Sequence, residues 1–264
     1  MSTSGPTNAA ELRVGRYVAF VDLMGFGAVT LDPAQAASAF HQLLDLNQGI
    51  NLLCQLPRFR GVRAYGFSDC AFLVFETFEE AVLFCSTLYQ FCCSRKARLR
   101  GAITPGYGYD LRQHTDRTFR APNFRPSPVC GSGFTLAAAL EMKAKLKGFR
   151  LFSWRCVPST GSRVLEVTRE LETLHPAQRD VEVRVREVIW PADYNANVVR
   201  ELNSLVGGDS VMPAEEIWRR FTAEWEQLAA AAPESERLPH LKATLDTFAY
   251  WHDVVRPRGV PPAP

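Results

Sequence analysis

The sequence lacks the features that mark several common classes of protein. No run of apolar residues is long enough to span a bilayer, so we expect no membrane helix. The 30 basic and 28 acidic residues leave a net charge of +2, which gives no electrostatic reason to expect a nucleic-acid or membrane partner. No internal repeat is visible. What remains is an ordinary globular composition, 47% hydrophobic and 22% charged, over 264 residues.

The cysteines and the N-terminal residues both favour a cytoplasmic location. The seven cysteines form neither a Cys-x-x-Cys pair nor a zinc-binding spacing. Several of them, including Cys54, Cys85 and Cys92, lie in apolar runs, where a cysteine behaves as a small hydrophobic side chain. We therefore expect reduced thiols. The small, polar start MSTSGPTNAAEL predicts a disordered tail over residues 1–15 and no signal peptide.

Up to about residue 190, the hydrophobic pattern predicts alternating strands and helices. A first strand (16–22) is followed by a helix that opens at Pro33 with Asp32 as its N-cap. A hairpin, a second helix from Thr77, a strand at 99–104, a third helix and two more strands come next. This order predicts an α/β sandwich of the α+β type, with a mixed or antiparallel sheet, over residues 16–190.

From Pro191 onward no strand pattern remains, which predicts a C-terminal helical extension over residues 191–264. The predicted helices of this helical extension are 197–205, 213–231 and 238–255. Its three tryptophans are expected to pack on the preceding domain or on a second subunit.

The stretch RYVAFVDLMGFG (16–27) joins a strand to a carboxylate and a glycine turn. Its apolar run predicts a strand buried on both faces, and Asp22 ends that run. An ionised carboxylate there is costly unless a positive charge meets it, and glycines let backbone amides approach a ligand. The arrangement is typical of a metal–phosphate site. Taken alone, it is equally compatible with Asp22 capping the next turn.

A second carboxylate and an arginine extend this candidate site. Asp69 lies in the predicted hairpin turn of YGFSDCAFLVF, and Arg100 lies in a later strand. Two carboxylates on adjacent strands would bind hard cations such as Mg²⁺ or Mn²⁺. Two such ions can activate a hydroxyl and neutralise a triphosphate in an in-line displacement. Without further comparison, Arg100 is more simply explained as an arginine on a strand surface.

Four segments resemble, in order, the signatures of the class III nucleotide cyclases. VDLMGFG resembles the D-[IL]-x-G-F motif, and YGFSDCAFLVF resembles the hairpin with its metal aspartate. LRGAITPG resembles the R-x-G-I-x-x-G strand, and GSGFTLAAALE resembles the G-x-x-V-N-x-A-x-x-x-E segment. The resemblance covers about residues 16–165. The chain is similar in particular to the small pyrimidine cyclases of the bacterial anti-phage Pycsar system, which carry a cyclase core and a short helical extension.

The resemblance implies a class III cyclase-like fold and a role for each matching residue. Asp22 and Asp69 match the two metal aspartates, and the backbone carbonyl of Leu23 would be a further ligand for two divalent cations, Mn²⁺ or Mg²⁺. The residues that would contact the phosphates are Phe26 and Gly27, through their backbone amides, and Arg100, through its guanidinium.

One departure from the family pattern bears on the base. Four residues before the hairpin aspartate, adenylyl cyclases carry a lysine and guanylyl cyclases a glutamate, whereas this sequence has Tyr65. A tyrosine fills space and has one hydroxyl that donates or accepts, which favours a pyrimidine over a purine. The alternative is that Tyr65 only packs in its strand. Flanking candidates are Arg63 and Phe67.

A second departure lies in the last motif. The family's asparagine falls on Thr135, a candidate substrate-binding residue, and its transition-state arginine falls on Ala139. Loss of such a charge typically costs orders of magnitude in rate. Either another cation substitutes or the protein is inactive. The candidate substitutes are Lys143 and Lys147, predicted on one helix, and the loop residues Arg112, Arg117, Arg120 and Arg125. Each of them is more simply explained as a solvated surface residue.

The resemblance implies a lyase that converts UTP to 3′,5′-cyclic UMP and pyrophosphate. Class III sites form between two subunits, so one copy of each motif implies a homodimer with two equivalent sites. The resemblance also implies a phage-triggered second messenger that activates a separate effector. Two alternatives remain: a cytidylate cyclase that makes cyclic CMP, and a pseudo-cyclase that binds a nucleotide or a partner without turnover. The absence of a GGDEF-type acidic turn disfavours a diguanylate cyclase.

Overall fold

A computed structural model describes residues 13–110, 129–143, 147–175, 178, 181–208 and 210–263. The strands are β1 (Arg13–Val14), β2 (Tyr17–Leu23), β3 (Arg63–Phe67), β4 (Cys70–Phe75), β5 (Leu99–Pro105), β6 (Gly108–Asp110), β7 (Val129–Cys130), β8 (Leu151–Ser153), β9 (Thr168–Leu174) and β10 (Glu182–Val188). The helices are α1 (Phe26–Leu31), α2 (Ala36–Gln55), α3 (Phe78–Ser94), α4 (Ser132–Lys143), α5 (Ala196–Val206), α6 (Ala214–Ala231) and α7 (Leu238–Tyr250). Within the described ranges, no helix is both long and apolar enough to cross a membrane.

The main sheet has seven strands in the order β3-β4-β2-β5-β8-β10-β9, and helices flank it. Only the β5–β8 pair is parallel among its pairings, so the sheet is mixed, which confirms the predicted fold class. Strands β2 to β5 and the helices between them form a β-α-β-β-α-β unit of the ferredoxin-like kind. This unit places the first strand, β2, between the hairpin and β5.

A smaller sheet pairs β1 with β6 and β6 with β7. Strand β1 lies within residues 1–15, which the sequence assigned to a disordered tail. Arg13 pairs with Tyr109, and Val14 pairs with Gly108. Backbone pairing of this kind does not require an apolar pattern, which explains why the composition of the segment gave no sign of a strand.

The two faces of β2 contact different helix layers, because successive side chains of a strand point to opposite faces. Ala19 and Val21 belong to a large core that also contains residues of α2 and α3. Val18 and Phe20 belong to a second cluster with Phe134 of α4. Asp22, two residues beyond Phe20, therefore lies on the α4 side of the sheet.

The start of the first long helix differs from the prediction. The chain first forms α1, and α2 begins only at Ala36, with Gln35 as its N-cap residue. Asp32 therefore does not cap this helix. Its Oδ1 atom instead accepts the backbone N–H of Ala34 at 3.0 Å, a local turn that aspartate commonly forms.

The predicted hairpin forms, and its turn is shorter than the stretch 66–69 that the sequence predicts. β3 and β4 pair as far as Phe67 with Cys70, so only Ser68 and Asp69 form the turn. Ser68 has a φ of +53°, in the left-handed region. Strand β9 was not predicted. It is an edge strand, and its sequence TRELETL contains no apolar run and places Arg169 next to Glu170.

The helical extension forms the predicted helices, and its apolar residues join the large core. Ile217 and Phe248 belong to the same cluster as residues of α3. A buried ionic network also attaches α7 to the sheet. Glu187 of β10, fully buried, accepts hydrogen bonds from Arg150 and Arg169. It also accepts one from the Thr247 hydroxyl of α7.

Candidate active site

Strand register brings the two predicted metal aspartates to one end of the sheet. Asp22 lies directly opposite Cys70 on one side and Arg100 on the other. Asp69 immediately precedes Cys70, and its carbonyl accepts the N–H of Leu23 at 3.0 Å. Residues far apart in sequence therefore become neighbours, because β2 pairs with both β4 and β5.

Arg100 joins Asp22 to a buried carboxylate on α4. Its Nε and Nη2 atoms donate to Asp22 Oδ2 at 3.1 and 3.0 Å. Its guanidinium also forms an ion pair with Glu141. The Arg100 side chain is 38% exposed, whereas those of Asp22 and Glu141 are 16% and 3% exposed. One half-exposed guanidinium thus serves two carboxylates that have little access to water.

Sequence reasoning did not assign a role to Glu141. It is the last residue of GSGFTLAAALE, and a carboxylate directly after the apolar run LAAAL was the available signal. Burial raises the pKa of Glu141 to about 7, although the charge of Arg100 acts in the opposite direction. Neither carboxylate oxygen of Glu141 has a hydrogen bond among the described residues. Glu141 contacts the site through its ion pair with Arg100.

Among the described residues, the site carries more negative than positive charge. Burial raises the pKa of Asp22, and the neighbouring Asp69 raises it further, while Arg100 lowers it. Burial together with these carboxylates raises the pKa of the Cys70 thiol to about 11. A bound cation would relieve this charge imbalance.

The donor set fits a hard divalent cation whose coordination is completed by a ligand. Asp22, Asp69 and the Leu23 carbonyl supply oxygen atoms, which Mg²⁺ and Mn²⁺ prefer. In the part of the chain that the structure describes, no group of three or more histidine, cysteine, aspartate and glutamate side chains could hold a metal ion. The remaining ligands would therefore be phosphate oxygens and water.

The turn after Asp22 leads directly into the short helix α1. Met24 donates its N–H to the carbonyl of Arg98 at 2.9 Å, and Gly25 has a φ of +77°. Helix α1 then begins at Phe26, so Phe26 and Gly27 occupy its first turn. The first amides of a helix have no partner within that helix. Their predicted contact with phosphate is compatible with this placement and stays a prediction.

Tyr65 packs in the sheet and also lies on the α4 side. It is 5% exposed, and its ring contacts that of Phe134 edge-on, with centroids 6.1 Å apart. Its hydroxyl donates to Asp110 Oδ2 at 2.9 Å. Tyr65 therefore packs in its strand, as the alternative interpretation of the sequence expected, and it lies on the same face of the sheet as Asp22. Contact with a base stays a prediction, as it does for Arg63, which is exposed, and Phe67, which is half-buried.

Among Thr135 and the candidate substitute cations, the structure describes only the side chains of Thr135 and Lys147. Thr135 is exposed near the start of α4, and its hydroxyl donates to the carbonyl of Gly131 at 3.4 Å. Lys147 is exposed and, contrary to expectation, is not helical. The remaining candidates lie outside the described residues, in whole or, for Lys143, in the side chain: Arg112, Arg117, Arg120, Arg125 and Lys143.

No protein-family model and no curated protein matches this chain. One solved structure that resembles it is the guanylyl cyclase Cya2, at 12% identity over 67% of this chain and 92% of that chain, with a TM-score of 0.46. Another is a class III adenylyl cyclase-like ATP-binding protein from Pseudomonas aeruginosa, at 12% identity over 84% and 44% of the two chains, with a TM-score of 0.35. Both TM-scores are below 0.5.

Proposed function

We propose that the protein is a nucleotide cyclase that converts UTP to 3′,5′-cyclic UMP and pyrophosphate. The observation that carries this proposal is the register of β2, which sets Asp22 against Arg100 and next to Asp69. Two carboxylates and a guanidinium meet at one end of the sheet. The carboxylates can bind the metal ions of a metal–triphosphate substrate, and the guanidinium can bind its phosphates.

Asp22, Asp69 and the Leu23 carbonyl would hold two divalent cations, Mn²⁺ or Mg²⁺. The cations, when bound, supply a lowered pKa for the ribose 3′-hydroxyl and charge compensation on the triphosphate. The 3′-oxygen attacks the α-phosphate as the bond to the leaving pyrophosphate breaks, in line. The amides of Phe26 and Gly27 would orient the phosphates.

Arg100 would exchange its hydrogen bonds to Asp22 for bonds to β- and γ-phosphate oxygens. The ion pair with Glu141 would keep the guanidinium at the site during this exchange. Charge-assisted bonds to phosphate are stronger than neutral ones, and they would offset the charge that develops on pyrophosphate. Arg100 would thus act on the leaving group. It would not replace the transition-state arginine that the family has at the position of Ala139.

The preference for a pyrimidine rests on Tyr65, whose ring takes the position of a smaller purine-reading side chain. The choice of UTP over CTP rests on the resemblance to the uridylate cyclases of the Pycsar system. The same resemblance supports a second-messenger role in cytoplasmic anti-phage defence, with a separate cyclic-nucleotide-activated effector. A homodimer with shared sites would complete each site with Thr135 of a second copy, and Thr135 and Met142 on α4 are exposed for such a contact.

A second candidate function is nucleotide binding without turnover. The observation in its favour is Ala139, which offers no charge at the position where the family has its transition-state arginine. The retention of Asp22, Asp69 and Arg100 argues against it, because close carboxylates are costly to keep in a site that does no chemistry.

The test is incubation of the purified protein with ATP, GTP, CTP and UTP separately, with Mn²⁺, followed by identification of products by mass. We expect cyclic UMP from the wild type and none from Asp69→Asn. The matched control is Asp253→Asn, an exposed aspartate of the helical extension, which should retain activity.

Other products would redirect the proposal. Cyclic CMP would support the cytidylate cyclase. A cyclic purine would contradict the assignment of Tyr65 to base selection. Binding of UTP by equilibrium dialysis without any product would favour the non-catalytic alternative.

A further inference from the structure

The carbonyl of Arg98 supports the turn that carries the candidate phosphate and metal contacts. It accepts the N–H of Met24 at 2.9 Å, immediately after Leu23. Leu23 supplies the predicted carbonyl ligand, and Phe26 follows two residues beyond Met24. The position of the Arg98 peptide therefore helps to set the position of this cation-binding turn, Leu23–Gly27.

The side chain of Arg98 is held by the helical extension. Its guanidinium forms an ion pair with Glu224 of α6. It also lies 4.9 Å from the ring centroid of Phe149 and 5.8 Å from that of Phe221, and these two rings stack on each other. Because the Arg98 side chain is only 20% exposed, its cation–π contacts and its ion pair are partly shielded from water.

A second arginine fixes the carboxylate from its other side. Arg237, just before α7, bonds Glu224 Oε1 at 2.7 Å, while Arg98 bonds Oε2. Glu224 is thereby held between two guanidinium groups, and its own side chain is 31% exposed. A carboxylate anchored in this way restricts the orientation of Arg98 more than a single surface pair would.

We propose that Glu224 is a positioning residue for the cation-binding turn. Glu224 orients Arg98, and the carbonyl of Arg98 in turn holds Met24. The helical extension then has a defined role in the active site, through the position of this turn. This inference rests on the proposed cyclase function, since the turn is the part of the chain that would bind metal and phosphate.

The expected magnitude follows from the geometry of in-line transfer. A displacement of about 1 Å at a reacting group can cost roughly 100-fold in rate, so a partial loosening of the turn should cost roughly tenfold. A purely structural role would instead lower the melting temperature and leave the dependence on Mn²⁺ unchanged in the protein that remains folded.

The experiment compares Glu224→Gln with Glu216→Gln. Glu216 is a matched control, because it lies on the same helix and pairs with Arg220, and both of those side chains are well exposed. Three readouts are taken: kcat as a function of Mn²⁺ concentration, the melting temperature, and deuterium exchange in the peptide that contains Met24. Glu224→Asp, which keeps the charge, is measured alongside.

For Glu224→Gln we expect faster exchange at Met24, a higher Mn²⁺ concentration at half-maximal activity, and a kcat lower by roughly tenfold. Glu216→Gln should behave as the wild type, and Glu224→Asp should recover part of the activity. Unchanged Met24 exchange and Mn²⁺ dependence in Glu224→Gln would overturn the proposal. So would a uniform increase of exchange along the chain with a lower melting temperature.

The exchange readout does not require catalysis. If the wild type forms no cyclic nucleotide, the proposed function fails on its own terms. The change at Met24 would still show whether Glu224 holds the turn, so the two failures are distinguishable.

Discussion

At the scale of single residues, the described part of the candidate site combines three carboxylates with one guanidinium. Asp22 and Glu141 share the guanidinium of Arg100, and Asp69 adds a further carboxylate nearby. Burial raises the pKa of both Asp22 and Glu141 despite this guanidinium. The described residues therefore favour the arrival of additional positive charge, as a divalent cation would provide.

The raised pKa of Glu141 predicts a pH-dependent stability. Burial raises it from 4.5 to about 7, so between these values the folded state binds a proton that the unfolded state has released. The stabilisation is complete below the lower value and is lost as pH rises through about 7. We expect the free energy of unfolding to fall between about pH 5 and pH 8 more steeply in the wild type than in Glu141→Gln, measured by urea denaturation.

The control for this prediction is Glu182→Gln, at the exposed start of β10. It should keep the pH dependence of the wild type, because this exposed side chain is not part of the cluster formed by Asp22, Arg100 and Glu141. Equal slopes in the wild type and Glu141→Gln would show that Glu141 does not retain a proton in the folded protein.

At the scale of elements, the close approach of β5 to β2 depends on one glycine. A Cβ atom at Gly101 would lie 2.4 Å from the carbonyl oxygen of Phe20 and 3.0 Å from the Tyr89 hydroxyl. The backbone oxygen cannot move away without disturbing the ladder between the two strands. Because Arg100 precedes Gly101, the same close approach sets the guanidinium against Asp22.

We therefore predict that Gly101→Ala destabilises the fold by about 1–3 kcal/mol, the usual cost of overpacking. The measurement is the midpoint of urea unfolding at constant m-value. Gly208→Ala is the control, since a Cβ atom there meets nothing within 4 Å. An unfolding midpoint of Gly101→Ala equal to that of the wild type would mean that β2 and β5 move apart with little loss of free energy.

Helices and strands with a strong local signal were predicted, and those without one were missed. Helix α3 starts where Thr77 indicates, and its side chain accepts the N–H of Glu80 at 3.2 Å. The hairpin and the helices of the helical extension also follow their patterns. By contrast, β9 is an edge strand that reaches its place through pairing with β10, and β1 pairs with β6. Edge pairing is a long-range backbone effect that no local pattern encodes.

At the scale of the whole molecule, one hydrophobic core joins the sheet and the helical extension. Trp251 is 1% exposed, and Trp218 stacks on Phe248, with their rings only 7° from parallel. Trp225 also packs partly against this core. The tryptophans therefore pack on the preceding domain, which is one of the two packings expected from the sequence.

A prediction at this scale concerns the proposed homodimer. If each site takes its aspartates from one subunit and Thr135 from the other, Asp69→Asn and Thr135→Tyr impair different halves of a site. Co-expression of the two inactive variants should then restore about a quarter of wild-type activity, because half of the dimers are mixed and each has one intact site. Cyclase activity and the subunit ratio in the purified dimer are measured together.

The control combines Asp69→Asn with Asp22→Asn, which damage the same half of the site. Mixed dimers of these two variants contain no intact site and should stay inactive. Equal recovery in both combinations, or none in either, would contradict a site shared between subunits.

The amino-acid sequence by itself determined the identity and order of the chemical groups. The carboxylate after an apolar run, the aspartate in a hairpin turn and the arginine in a later strand are each visible locally. Tertiary structure decided which of them meet. Asp22 and Arg100 are 78 residues apart, and Arg98 and Glu224 are 126 apart, so their contacts depend on strand register and helix packing. Local patterns specify each element, but only the closed core brings distant charges within bonding distance.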